Sequence, residues 1–268
     1  MPAWSTENRL KRLVMPSQQP FAQELSSQTA AMPEAPRHGF QGDRAPVAET
    51  PLMPASLTVA ISREAGSRGG SIARRAGRKL DWQVYNQELL EYIAQESAFR
   101  QSLLDNLPAA ASRWAEERLE ALRRDYQLGQ YPSILEMAHI IVALGAQGNV
   151  VLLGRGANSV LPAESTLSVR IMAPREDRIA YMSQWLRLTM DEAAEQVELR
   201  DRRRADFLET HFRRQPADIY QYDLILNSSL LGEELCADLI VQAARAKAEA
   251  RTLGRRASPA WSAESVDS

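Results

Sequence analysis

Two hydrophobic patterns alternate along the chain. Short apolar runs occur at Leu57–Ser62, Gln83–Tyr85, Val150–Leu153, Leu167–Ala173 and Asp223–Asn227. Their length and β-branched content predict five strands. Val150-Val-Leu-Leu153 has no polar alternation, the signature of a strand covered on both faces. Between these runs the spacing turns helical. A helix is predicted from about Gly70 to Leu80 and another from Gln87 to Glu96. Residues 100–146 read as several helices, punctuated at Pro108, Gly129 and Pro132. Pro174 opens a further helix that carries Ile179, Met182 and Leu186 on one face, with Glu176 and Asp177 suited to its positive N-terminus. Thr189 and Glu192 have the spacing of a capping box for the next helix, and Glu233 to about Lys247 is the last. Strands separated by helices imply an α/β fold, a five-stranded parallel sheet with helices on both faces. Such sheets bind ligands beyond the C-terminal strand ends, so the loops after Ser62 and Leu153 are where chemistry is expected.

Outside this pattern the chain changes character. Residues 1–55 hold eight of the fourteen prolines and no sustained period. Such a segment buries too little apolar surface to offset its ordering entropy. Residues 1–55 and 251–268 are therefore expected to be disordered tails around one domain at 56–250. Net charge is −2, which gives no reason to expect nucleic acid or an anionic membrane as a partner. One cysteine, Cys236, excludes an intrachain disulfide and suits a reducing compartment; it reads as a core residue. No apolar run is long enough to span a bilayer, and a cytoplasmic location is expected. His38, His139 and His211 lack metal-ligand spacing. The five tryptophans are scattered and mark no stacking platform.

The first loop, Ile61-Ser-Arg-Glu-Ala-Gly66-Ser67-Arg68-Gly69-Gly70-Ser71, joins a strand to a helix through a Gly/Ser-rich turn. That geometry aims backbone N–H groups and a helix N-terminus at phosphate. Ser71 is placed where a hydroxyl reaches Mg²⁺. The loop is not a complete G-x-x-x-x-G-K-[ST] motif. Its lysine slot falls at Gly69 or Gly70, and its first glycine slot at or near Arg63. An ordinary strand-to-helix turn is the plain alternative.

The loop belongs to an ordered set. Ile61-Ser-Arg with Gly66–Arg74 is followed by Tyr85-Asn86-Gln-Glu88-Leu-Leu90, then Gly154-Arg155-Gly156-Ala157-Asn158, then Ala173-Pro174 with Arg178. Asp201 with Arg204 and Phe207 comes next, and Tyr222-Asp-Leu-Ile-Leu-Asn227 closes the set. From about Leu57 to Ala248 this series resembles the cytidylate kinase-like family. The resemblance implies a P-loop nucleoside monophosphate kinase fold that moves the γ-phosphoryl group of ATP, with Mg²⁺, to CMP or a related nucleotide. Residues 100–146 would be the helical acceptor-binding insert and residues 188–215 the helical lid. It implies that Gly66, Ser67, Arg68, Gly69, Gly70 and Ser71 cradle the donor phosphates and that Ser71 meets the metal. Arg155 would hold the acceptor with Asn86 and Asp201, since a guanidinium grips phosphate through two bonds. Arg200 and Arg204, four apart on one helix face, would close over the transferring group, with Asp201 orienting one of them.

Two positions depart from the family pattern. Arg68 stands where glycine is usual, either supplying the missing lysine's cation or crowding the nucleotide. Asn86 stands where aspartate is usual, and an amide is no base. Three functions follow: an active nucleotide kinase, a nucleotide-binding pseudoenzyme with a regulatory or scaffolding role, or a phosphotransferase with a non-nucleotide acceptor. Arg155 and the Arg200–Arg204 run also have plain readings, as an ion-pair partner and a solvated helix face. Arg170 reads as pointing to a sheet edge.

Overall fold

The computed structural model describes residue 54 and residues 56–257. The expected N-terminal tail lies outside the described residues apart from Pro54, and so do residues 258–268.

Five strands form one sheet: β1 (Thr58–Arg63), β2 (Gln83–Tyr85), β3 (Val150–Leu153), β4 (Thr166–Met172) and β5 (Leu224–Asn227). Their order is β2-β3-β1-β4-β5 and every neighbour is parallel. The central strand β1 pairs with β3 from Thr58↔Val150 to Ile61↔Leu153 and with β4 from Thr58↔Thr166 to Arg63↔Ile171. Both loops singled out from the sequence therefore emerge side by side.

The apolar runs of β1 and β3 serve two faces. Val59, Ile61, Val151 and Leu153 pack with Ile72, Ala73 and Ala76 of α1 (Gly69–Leu80). Cys236, Ile240 and Ala244 of α9 (Ser228–Ala257) complete that layer, so Cys236 is core as expected. Ala60, Val150 and Leu152 face the opposite layer. There α2 (Gln87–Gln95), α3 (Ser97–Asp105), α4 (Ala109–Asp125) and α5 (Pro132–Gln147) gather around Trp114, Leu122, Ile140, Ile141 and Leu144. The short α6 (Ala157–Val160) follows β3, and α7 (Arg175–Leu186) and α8 (Met190–Phe212) follow β4. The Thr189–Glu192 capping box opens α8 as the sequence predicts.

Two expectations change. The last helix passes through a non-helical Gly232 and continues to Ala257, beyond the expected boundary at residue 250. Arg251 anchors that extension by donating to the carbonyls of Pro54, at 2.7 Å, and Ser56, at 3.1 Å. β4 is an interior strand, so Arg170 does not point to a sheet edge. It donates to Ser62 Oγ at 2.9 Å beneath the first loop.

Candidate functional site

A cavity of about 790 Å³ opens at the C-terminal ends of β1 and β3. Eight arginines line it (Arg63, Arg68, Arg74, Arg155, Arg170, Arg200, Arg203 and Arg204) against two carboxylates, Glu64 and Glu88. No lysine, aspartate or histidine is among the lining residues. A lining so unbalanced gives the cavity a positive potential that attracts anions.

Local sequence explains its shape. Gly66 holds φ +80°, and a Cβ there would strike the carbonyl oxygen of Arg178; only glycine makes this turn at this distance. Arg68 is the N-cap of α1 with φ 59°, a left-handed conformation that costs a non-glycine residue about 1–2 kcal/mol. This is why glycine is usual there. The Arg68 guanidinium is exposed and lies over the Tyr181 ring at 5.1 Å. Gly69 and Gly70 open α1, where N–H groups have no partner within the helix.

Ser67 is a correction. Its side chain is fully buried and donates to the carbonyls of Glu64, at 2.9 Å, and Ile171, at 3.3 Å. It does not line the cavity; the turn consumes its hydroxyl. Ser71 lines the cavity while its hydroxyl donates to Glu233. That donation leaves oxygen lone pairs for a cation, so Ser71 fits a Mg²⁺ ion held otherwise by phosphate oxygens and water.

An ionic clamp fixes the loop. Arg178, largely buried, lies 3.3 Å from Glu64 Oε2 and 2.5 Å from Asp201 Oδ2. It also donates to the carbonyls of Ala173 and Ala65. Asp201 accepts from the Ala65 N–H at 2.7 Å and from Arg204 at 3.2 Å. Glu64 accepts from the Ala173 N–H at 3.1 Å. The charge run on α8 is thus more than a solvated face. Asp201 orients Arg204 and ties α8 to the phosphate loop, but it is not among the cavity-lining residues.

Arg155 follows β3 at φ 53°. It pairs with Glu91 and lies over the Phe207 ring at 5.4 Å. Its Nε is buried without a partner. Asn86 caps α2, accepting from the Leu89 N–H at 2.9 Å, and lines the cavity from there. Arg200 and Arg204 both line it. Burial holds the Arg155 and Arg204 guanidiniums below their usual range.

Two further residues that the sequence motifs give no role, Arg63 and Trp185, line the cavity. Arg63 ends β1, and burial, with help from Arg204 and Arg155, pushes its pKa down to about 10. Trp185 lines the cavity, 62% exposed, its ring stacked on Tyr181 at 6.5 Å between centroids. The tryptophans do include a cavity-side aromatic; the signal was its place one turn after Tyr181. No residue between 89 and 152 lines the cavity, because α3–α5 spend their apolar faces on one another and on the sheet.

A solved structure of an uncharacterized protein from Eubacterium ventriosum superposes with a TM-score of 0.50 at 17% identity, covering 71% of this chain and 99% of that one. A shikimate kinase from Bacteroides thetaiotaomicron is similar at a TM-score of 0.40 and 14% identity, covering 72% of this chain and 98% of that one. Among curated proteins, the uronate isomerase of Corynebacterium glutamicum is 32% identical over 93 residues. These are 34% of this chain and 18% of the isomerase, so the chain spans under one-fifth of that relative's length. The model of the cytidylate kinase-like family matches residues 58–230, the whole span from β1 to the start of α9, and the chain belongs to that family.

Proposed function

We propose that the protein is a phosphotransferase that moves the γ-phosphoryl group of ATP to the phosphate of CMP or a related nucleoside monophosphate. The observation that carries this is the arginine excess at the C-terminal ends of β1 and β3, set against the N-terminus of α1. Phosphoryl transfer is mainly positioning and charge stabilisation, and this cavity is built of both. The free N–H groups opening α1 would receive the donor phosphates. Mg²⁺, held by Ser71, would neutralise charge on those phosphates. Arg200 and Arg204 would stabilise the transferring group, and Arg155 the acceptor. A phosphate oxygen of the acceptor attacks the γ-phosphorus while the bond to the bridging oxygen breaks, and ADP leaves. That oxygen carries no proton at neutral pH, so no base is required. Glu64 is not available as one, because Arg178, Arg170 and the Ala173 N–H hold its carboxylate.

A second reading has one observation in its favour. With no insert residue lining the cavity, no side chain of α3–α5 is at hand to hold a nucleobase, and a smaller hydroxyl acceptor also fits. A hydroxyl must lose its proton, and Glu88 is the one lining carboxylate not held by arginines. The test is calorimetric titration with Mg·ATP and then CMP, followed by coupled ADP release, for the wild type and Glu88→Gln. CMP-dependent ADP release that survives Glu88→Gln within about threefold is the expected result. ADP release that ignores every nucleoside monophosphate sinks the first reading. Binding without release points to a nucleotide-binding pseudoenzyme.

A further inference from the structure

We propose that Arg63 is the cation that holds the donor's phosphoryl groups, in exchange for the lysine that the loop lacks. The inference rests on the reading of the cavity as a phosphoryl-transfer site. Three observations converge on it.

The first is register. Set against G-x-x-x-x-G-K-[ST], the alignment with the first glycine at position 63 puts the second glycine at 68, the lysine at 69 and the hydroxyl slot at 70, one residue before Ser71. This chain has Arg63, Arg68 and Gly69 there. Arg68 is left-handed, a conformation that glycine takes without strain, which favours this register over the one counted back from Ser71. Cation and glycine have traded places.

The second is contact between the traded positions. A Cβ at Gly69 would lie 2.7 Å from Arg63 Cβ and 3.0 Å from its Cγ. A side chain at 69 and the arginine stem at 63 therefore exclude each other. Glycine at 69 clears the path along which Arg63 runs. At the far end a Cβ at Gly154 would strike Arg63 Nη1, so the guanidinium lies between the first loop and the loop after β3.

The third is charge. Arg63 is largely buried and lines the cavity. Among the described residues it makes no ion pair and no side-chain hydrogen bond. Its charged neighbours are Arg204 and Arg155, which repel it, and Glu88, which attracts it. An uncompensated buried cation is costly to a fold, and a bound polyanion removes that cost. Arg68, by contrast, is exposed and engaged with Tyr181, a poorer substitute for the lysine.

The experiment measures affinity for Mg·ATP and for inorganic tripolyphosphate by calorimetry, together with the ligand-free melting temperature, in the full chain. Arg63→Met keeps the stem's bulk and removes the charge. It should lose at least tenfold in affinity for both ligands while the ligand-free protein melts at or above the wild-type temperature. Arg63→Lys should fall between the two. Wild-type affinity in Arg63→Met, or a lower ligand-free melting temperature, overturns the assignment and makes Arg63 structural. The double variant Arg63→Gly, Gly69→Lys restores the usual order and should regain most of the lost binding; binding no better than Arg63→Met overturns the exchange. If the wild type binds neither ligand, the phosphoryl-transfer reading falls with the proposal. If the wild type binds and Arg63→Met binds equally, only Arg63's role falls.

Discussion

Two sets of arginines border the first loop and differ in what neutralises them. Arg178 and Arg170, on the β4 side, are matched by Glu64 and, for Arg178, by Asp201, within 4 Å. Arg63, on the β3 side, has no carboxylate at that distance among the described residues, while Arg155 beside it pairs with Glu91 and keeps only a buried Nε without a partner. Side chains of one type, bordering one loop, therefore do opposite work. The matched set fixes the loop's conformation before any ligand arrives. The unmatched Arg63 leaves positive charge for a ligand to satisfy, and Arg155 leaves a spare donor. Counting arginines would not separate the two; their partners do.

The comparison breaks most visibly at Arg178. Removing it strips Glu64 and Asp201 of their shared cation and leaves the carbonyls of Ala65 and Ala173 without that donor. Breaking a buried pair from one side costs about 3–5 kcal/mol. Arg178→Ala should lose stability on that scale in urea unfolding. Arg178→Lys should recover little, because a single ammonium cannot reach both carboxylates and both carbonyls in the same plane. A loss below about 1 kcal/mol would mean that the clamp is not what holds the loop.

The clamp also shows how far the sequence can be read. The five strands and the helices after them were legible because buried parallel strands leave unbroken apolar runs and because caps such as Thr189–Glu192 have a fixed spacing. The loops after β1 and β3 were legible from glycine spacing. What each arginine touches was not. Asp201 lies 136 residues from the Ala65 N–H that it accepts from, and no local pattern records that meeting. Arg63 was hidden for a different reason. The sequence puts it just past the strand, at a slot where the motif has glycine, and only the approach of Gly69 and Gly154 reveals its course. What residues 100–146 hold was not legible, because amphipathic helices announce that they bury a face, without saying against what.

A smaller effect sharpens the contrast at Arg68. Glycine there relieves the left-handed strain, about 1–2 kcal/mol. It gives back part of this through the lost cation–π contact with Tyr181, worth about 0.5–1 kcal/mol at an exposed site, and through greater freedom of the unfolded chain. Arg68→Gly should therefore be more stable than wild type by about 0.5 kcal/mol in urea unfolding. Its Mg·ATP affinity should stay within about threefold, as expected if the buried Arg63, rather than the exposed Arg68, carries the phosphate contact. A tenfold loss would return the cation's role to Arg68.

The smallest effect is expected at Asn86, where aspartate is usual in the family. The amide oxygen caps α2 by accepting from the Leu89 N–H. Aspartate caps as well as asparagine does, and its charge would meet both the positive end of α2 and the arginines of the cavity. Asn86→Asp should thus match or exceed wild-type stability by no more than about 0.5 kcal/mol. At the cap the two residues are interchangeable, so the substitution in this chain leaves the scaffold intact whatever it does to turnover. Equal stability with a rise of tenfold or more in ADP release would assign the family's aspartate to the reaction. Equal stability with unchanged release would assign it to the helix, and the cavity arginines would then carry the chemistry without a carboxylate at that position.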